Sequence, residues 1–184
     1  ALGLCAPLRN QYLASEEARL RGWTEADLGT AKGAKLCGKC RGLGGHRPHP
    51  ELLLPCPDCS ASGWDGSTTS LEVRGLSWPE LGACSLNDLR THFAGSSAIE
   101  SSLALACELG MGEWRLDRPL GELPLGIASL AAFAATGPQH DCSLAIPAAG
   151  FTPLEAERIA RTMGGYLSHG LRLEVKGHHP SFVQ

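Results

Sequence analysis

The chain has 184 residues, 43% of them apolar and 19% charged, with a net charge of −3. That length allows one good core, or a small metal-stapled module beside a second compact unit. The acidic balance excludes a chain that is basic throughout, and no apolar run approaches the roughly 18 residues that a membrane helix needs.

Glycine (23) and proline (12) are plentiful, which predicts many turns rather than a long bundle. The sequence begins with Ala1 and shows no basic-then-apolar leader. The expectation is a cytoplasmic protein, trimmed at its start or cut from a longer chain.

In chain order, residues 7–21 read as one helix that Pro7 opens, with Leu8, Tyr12, Leu13 and Leu20 as its apolar stripe. Gly22, Gly29 and Gly33 break the following stretch into an irregular lead-in. The segment 68–77 predicts a short strand, a tight turn at Arg74-Gly75 and a second extended piece. Ser85, with Asp88 three residues on, resembles a capping box for a helix through Phe93. Ser96 or Ser97 caps the next helix, with Ile99, Leu103, Ala106 and Cys107 on one face, and Gly110 and Gly112 end it. An alanine-rich, buried helix is expected over 126–135 and a short core strand over 142–146. Thr152-Pro153 starts a helix carrying Ala156, Ile159, Ala160, Met163, Tyr166 and Leu167 at helical spacing. Leu171 to Val175 forms a further strand. Strand, helix, strand is the rhythm of a βαβ unit with a parallel sheet.

Eight cysteines could signal disulfides or metal, and spacing separates the two. Cys37 and Cys40 form one Cys-x-x-Cys pair, Cys56 and Cys59 a second, with fifteen residues between them. A disulfide framework has no reason to favour two-residue gaps, whereas a tetrahedral metal site does. Four thiolates with no open position describe a structural site for one zinc ion, with an iron centre in the same cage as the alternative. His46 and His49 lie between the pairs and read as exposed loop residues, because four cysteines already fill the shell. Cys5, Cys84, Cys107 and Cys142 read as small buried hydrophobes.

Charge is unevenly spread. Residues 31–63 hold Lys32, Lys35, Lys39, Arg41 and Arg47 against Glu51 and Asp58, a balance of +3, so the remainder carries −6. Lys35, Lys39, Arg41 and Arg47 are therefore candidate contacts to an anion such as the DNA backbone. A solvated rim that keeps the module soluble is the competing reading.

The stretch from Gly33 to Gly44 (GAKLCGKCRGLG) is a glycine-framed C-x-x-C-x-G-x-G knuckle. With Ala6-Pro7-Leu8-Arg9 and Ala18-Arg19-Leu20-Arg21-Gly22-Trp23-Thr24 upstream, it resembles the second zinc module of UvrA, the damage-sensing subunit of the bacterial excision nuclease. Leu109 to Leu116 (LGMGEWRL) is similar to that family's approach to its ATP-binding-cassette signature. Leu144 to Gly150 (LAIPAAG) falls where the family has its Walker B strand and following loop. Leu173 to His178 (LEVKGH) resembles the strand ending in the cassette's switch histidine, which places a vestigial switch residue at His178. The resemblance spans nearly all of the chain.

The departures bear on activity. The signature's serine, glycines and glutamate fall on Leu123-Pro124-Leu125-Gly126-Ile127, which keeps a leucine and one glycine. The Walker B acids fall on Ala145 and Ile146, and no G-x-x-x-x-G-K-[ST] phosphate loop occurs in these residues. The resemblance thus implies a cassette half whose architecture survives without its ATPase chemistry, and no enzyme activity is expected. A DnaJ-type chaperone domain shares the knuckle but uses four, where this chain has two. His140-Asp141-Cys142 does not make a nucleophile and base, since neighbours on an extended segment point apart. His178-His179 reads as a loop or helix start rather than a second metal site.

The expected fold is α/β, a helical zinc-bearing insertion followed by a degenerate ABC-type βαβ core. Its parts are a helical lead-in (1–30), a four-cysteine zinc module (31–66), a strand and helix segment (67–110) and the cassette-like core (111–184). The expected function is a non-catalytic UvrA-like module that binds DNA weakly or assists its repair. The alternative is a protein-interaction module in which zinc is purely structural.

Overall fold

The computed structural model describes residues 5–29, 33–49, 52–117, 125–136, 143–147, 151–167 and 171–176. It is a mixed α/β structure, divided into two compact units, one of Ala6–Cys84 and one of Ser85–Gln184 joined by Ala1–Cys5.

The first unit opens with helices α1 (Cys5–Leu13) and α2 (Glu16–Leu20). The single helix expected over 7–21 is thus broken. Ser15 takes an extended backbone and its hydroxyl accepts the Ala18 N–H at 3.3 Å, so it caps α2 instead of continuing α1. The break also ends the apolar stripe. Leu8 and Tyr12 are fully buried, while Leu20 is 77% exposed.

A hairpin follows, β1 (Gly45–His49) with β2 (Leu52–Pro55), antiparallel and irregular between His46 and His49. His46 and His49 are exposed, but on a strand rather than in a loop. After a single 3-10 turn at Gly66–Ser70 come β3 (Glu72–Val73) and β4 (Leu76–Ser77). Arg74 (φ 53°) and Gly75 (φ 78°) make the expected tight turn, with the left-handed pair that two-residue hairpins favour. Helix α3 (Trp78–Ala83) starts from a full capping box, Ser77 with Glu80, and a proline in its first turn. Tyr12 packs edge-on against Trp78, with ring centroids 5.1 Å apart, and Trp64 does the same from 5.7 Å. The Tyr12 hydroxyl donates to the Leu76 carbonyl at 2.9 Å, and burial pushes its pKa well above the ordinary tyrosine value.

The second unit contains α4 (Leu86–His92), α5 (Ser97–Ala106), α6 (Leu125–Thr136), β5 (Ser143–Pro147), α7 (Pro153–Leu167) and β6 (Arg172–Lys176). Ser85 caps α4, its hydroxyl accepting the Asp88 N–H at 3.1 Å, but the Asp88 carboxylate accepts from that same hydroxyl at 2.7 Å, where the expected capping box would have it take the Ser85 backbone N–H. Helix α5 runs into a wider turn of π type at Cys107–Met111, which Gly110 ends at φ 92°. Packing is sequential. α4 lies on α5, α5 on α6, and α6 on β5, while α7 covers the wide turn. Ala156, Ile159 and Met163 give α7 its buried face, and Tyr166 is half-buried. Strands β5 and β6 pair in parallel, with Leu144 opposite Leu173 and Ile146 opposite Val175. That is the expected βαβ unit. Cys84 and Cys107 are only half-buried rather than core residues. Cys142 and the side chain of Cys5 lie outside the described residues.

Gly126 has a packing role. A Cβ at that position would collide with the Phe151 ring. In an exposed helix Gly→Ala is favourable by up to about 1 kcal/mol, but overpacking a filled site costs about 1–3 kcal/mol. Gly126→Ala should therefore lower the urea unfolding midpoint. An unchanged or raised midpoint would show that the ring moves aside freely.

Candidate metal centre

The metal module begins and ends on a short stem. Leu36 and Trp64 form an isolated antiparallel bridge. Beside it the Asp65 N–H donates to the Lys35 carbonyl (2.9 Å) and the Cys37 N–H to the Gly63 carbonyl (2.8 Å). Trp64 ties this stem to the aromatic cluster around Trp78.

Within the stem the chain makes the same knuckle twice, offset by nineteen residues. Cys37 corresponds to Cys56, Cys40 to Cys59, Gly42 to Ala61 and Gly44 to Gly63. The two knuckles share a backbone path: Arg41, Gly42 and Gly44 have φ of 53°, 86° and 68°, and Ser60, Ala61 and Gly63 have 50°, 66° and 79°. They also lock together reciprocally. The Cys37 N–H donates to the Gly63 carbonyl, and the Cys56 N–H to the Gly44 carbonyl at 2.9 Å. Each closing glycine lies against the other knuckle's backbone. A Cβ on Gly63 would come within 2.6 Å of the Gly42 carbonyl oxygen, and one on Gly44 would collide with the Ala61 carbonyl oxygen.

This locking brings the four predicted sulfurs together. Cys37 Sγ lies 4.0 Å from Cys56 Sγ, and Cys40 Sγ lies 3.7 Å from Cys59 Sγ. All four lie within 4.8 Å of one another. An ion about 2.3 Å from each of four sulfurs at tetrahedral angles would set edges of about 3.8 Å, so the cluster could hold a metal ion with little adjustment. Cys37, Cys40 and Cys56 are buried and Cys59 is half-buried.

Electrostatics are uneven across the cage. Backbone N–H groups of Cys40 and Lys39 stabilise the Cys37 thiolate and pull its pKa down to about 7. Burial pushes the Cys59 thiol up to about 11, although the Gly63 N–H donates to its sulfur at 3.3 Å. Ion binding must displace protons held by such thiols, so affinity falls as pH falls.

The four cations proposed as anion contacts all lie on this module but differ in setting. The Lys39 ammonium sits 3.0 Å from Asp58, its counterpart in the second knuckle, and that carboxylate raises its pKa. Lys35 stands 3.7 Å from Asp27. Arg41 is exposed immediately after Cys40, and Arg47 is exposed on β1. His178, His179 and the His140-Asp141-Cys142 stretch lie outside the described residues.

Two features escaped the sequence. One is the hairpin between the knuckles. The other is Ala61, which departs from the glycine pattern of the first knuckle yet adopts the same left-handed backbone as Gly42. For alanine that conformation costs about 1–2 kcal/mol, partly offset by the extra unfolded-state entropy of glycine. Ala61→Gly should therefore raise the stability of the metal-loaded chain by up to about 1 kcal/mol, and Gly63→Ala should lower it by more than that. Thermal unfolding of the two variants, each with its metal content measured, checks both signs.

No family model matches the chain. It is 21% identical to UvrABC system protein A of Vibrio parahaemolyticus over 191 residues, covering 99% of this chain and 20% of the relative. Against UvrABC system protein A of Haemophilus ducreyi it is 23% identical over 118 residues, 62% of this chain and 12% of the relative. The chain thus spans at most about a fifth of the length of these curated relatives. Among solved structures it matches UvrA2 from Deinococcus radiodurans with a TM-score of 0.84 and 24% identity, over 99% of this chain and 23% of that one. In fold and in sequence along nearly its whole length, the chain is UvrA-like.

Proposed function

We propose that this chain is a non-catalytic UvrA-like module that holds one structural zinc ion and binds DNA weakly, without sequence preference, in the service of DNA repair. The observation that carries the reading is the four-cysteine cage within a fold matching UvrA2 over almost the whole chain. Zinc is the ion assigned because a closed set of four thiolates, with no position left for water or substrate, suits a structural zinc site. Cys37, Cys40, Cys56 and Cys59 would hold it, and its role would be to fix the two knuckles.

The reading assigns no ATPase activity. The positions matching the Walker B acids are Ala145, exposed on β5, and Ile146, fully buried beside it. Neither side chain offers an oxygen to magnesium or to a water, and phosphoryl transfer depends on both. Calorimetry with Mg-ATP should give no binding heat in the micromolar range, and a phosphate-release assay should give no turnover. Turnover abolished by a point substitution in this chain would contradict the reading.

DNA contact would rest on the basic metal segment, whose glycines let a backbone approach a phosphate closely. Three or four phosphate contacts give a Kd of about micromolar or weaker near physiological salt, and affinity falls steeply as salt rises. Lys39 and Lys35 already face carboxylates, so a phosphate must compete with Asp58 and Asp27 for them. Arg41→Ala should therefore weaken binding more than Lys39→Ala, and replacing Lys35, Lys39, Arg41 and Arg47 together should abolish it with zinc content unchanged. Fluorescence anisotropy at low salt, with intact and lesion-bearing duplex, checks the order. If neither duplex binds even there, the alternative of a protein-interaction module with a structural zinc takes over.

A further inference from the structure

The β1–β2 hairpin presents apolar surface that the metal site does not explain. Leu52, Leu53 and Leu54 are 49%, 46% and 48% exposed, and Leu43, just before the hairpin, is 75% exposed. Register sorts these side chains. His46 lies opposite Leu54 and His49 opposite Leu52, and residues directly opposite in an antiparallel pair share a face. One face therefore carries Leu52 and Leu54 with two exposed imidazoles. Leu53 lies on the other face, over Gly45, where a Cβ would come within 2.8 Å of Leu53 Cδ1. Contiguous exposed leucines on a short hairpin are a liability unless something covers them.

We propose that the His46, His49, Leu52 and Leu54 face is a docking surface for a protein segment carrying large apolar side chains flanked by Asp or Glu. The leucines select the apolar part, since they offer nothing to a phosphate. The acidic part follows from charge complementarity. Residues 31–63 carry a balance of +3, with Arg41 and Arg47 exposed beside and on the hairpin. Like charge on a partner would be repelled, while an acidic segment is both steered in and accommodated. The metal cage fixes the base of the hairpin, because Gly44 and Cys56, its flanking residues, are hydrogen-bonded to each other at 2.9 Å. This preorganises the face and lowers the entropy lost on docking.

The test uses the full chain and a fluorescein-labelled peptide of alternating leucine and glutamate, with leucine–lysine and serine–glutamate peptides and a short DNA duplex as comparisons. The leucine–glutamate peptide should bind in preference to both other peptides. Leu52→Ser with Leu54→Ser should weaken that binding about tenfold or more, as loss of interface anchors does, and leave zinc content and duplex binding unchanged. Leu53→Ser, on the opposite face, should leave peptide binding intact. If the double variant loses zinc, Leu52→Gln alone replaces it, with the same expectation of weakened peptide binding. Three binding results would overturn the proposal: no peptide binding at millimolar concentration, equal binding of the serine–glutamate peptide, or loss of duplex binding in the leucine variant. A dimer in sedimentation that the leucine variant dissociates would also overturn it, by assigning the face to a second copy. Because the readout is the peptide and not DNA, it stands apart from the DNA reading.

Discussion

The metal module depends on the reciprocal contact between its two knuckles. Each first cysteine donates its N–H to the other knuckle's closing glycine, and each closing glycine is pressed against the other's backbone. A side chain at Gly44 or Gly63 would push the knuckles apart, and the sulfurs with them. Backbone hydrogen bonds and the absence of two Cβ atoms therefore set the sulfur separations. An ion would stabilise this arrangement by binding it in preference to the unfolded chain. The same contact holds the base of the β1–β2 hairpin and, through the Leu36–Trp64 bridge, connects to the Tyr12, Trp64 and Trp78 cluster.

Charge follows the duplication too. Lys39 and Asp58 occupy equivalent places in the two knuckles and pair across them at 3.0 Å. Both are exposed, and exposed pairs contribute little stability. The pairing matters more for recognition, because it reduces the positive field that the segment offers to a phosphate. What remains is a modest cationic surface next to exposed leucines, a combination suited to more than one kind of partner. In the second unit, Ile146 and Gly126 have packing roles. Ile146 is fully buried on β5, and Gly126 makes room for Phe151.

Much of this was legible in the sequence, and the reasons differ by element. The Cys-x-x-Cys spacing encodes ligand geometry directly, so the cage could be read without any fold. The βαβ unit was legible because α7 has a strong helical period between two short apolar runs, and Arg74-Gly75 because few residue pairs accept two successive left-handed conformations. The break at Ser15 was hidden by leucines at nearly helical spacing on both sides, although a serine followed by Glu16 and Glu17 is a helix-start signal. The Ser77 capping box, written Ser-Trp-Pro-Glu, was equally available. The hairpin had weak local signals: β1 reads Gly-His-Arg-Pro-His, which has little strand propensity. It forms because the locked knuckles hold its two ends side by side. Ala61 was unreadable for a related reason, since only the partner knuckle imposes glycine's conformation on it.

The most direct test of the proposed four-thiolate zinc centre is X-ray absorption at the zinc edge of the chain purified without chelators. The expected result is one zinc per chain surrounded by four sulfurs at about 2.3 Å, with no nitrogen from His46 or His49. A shell containing nitrogen or oxygen ligands, or a chain carrying less than about half an equivalent of zinc against the single full site of a structural centre, would contradict it.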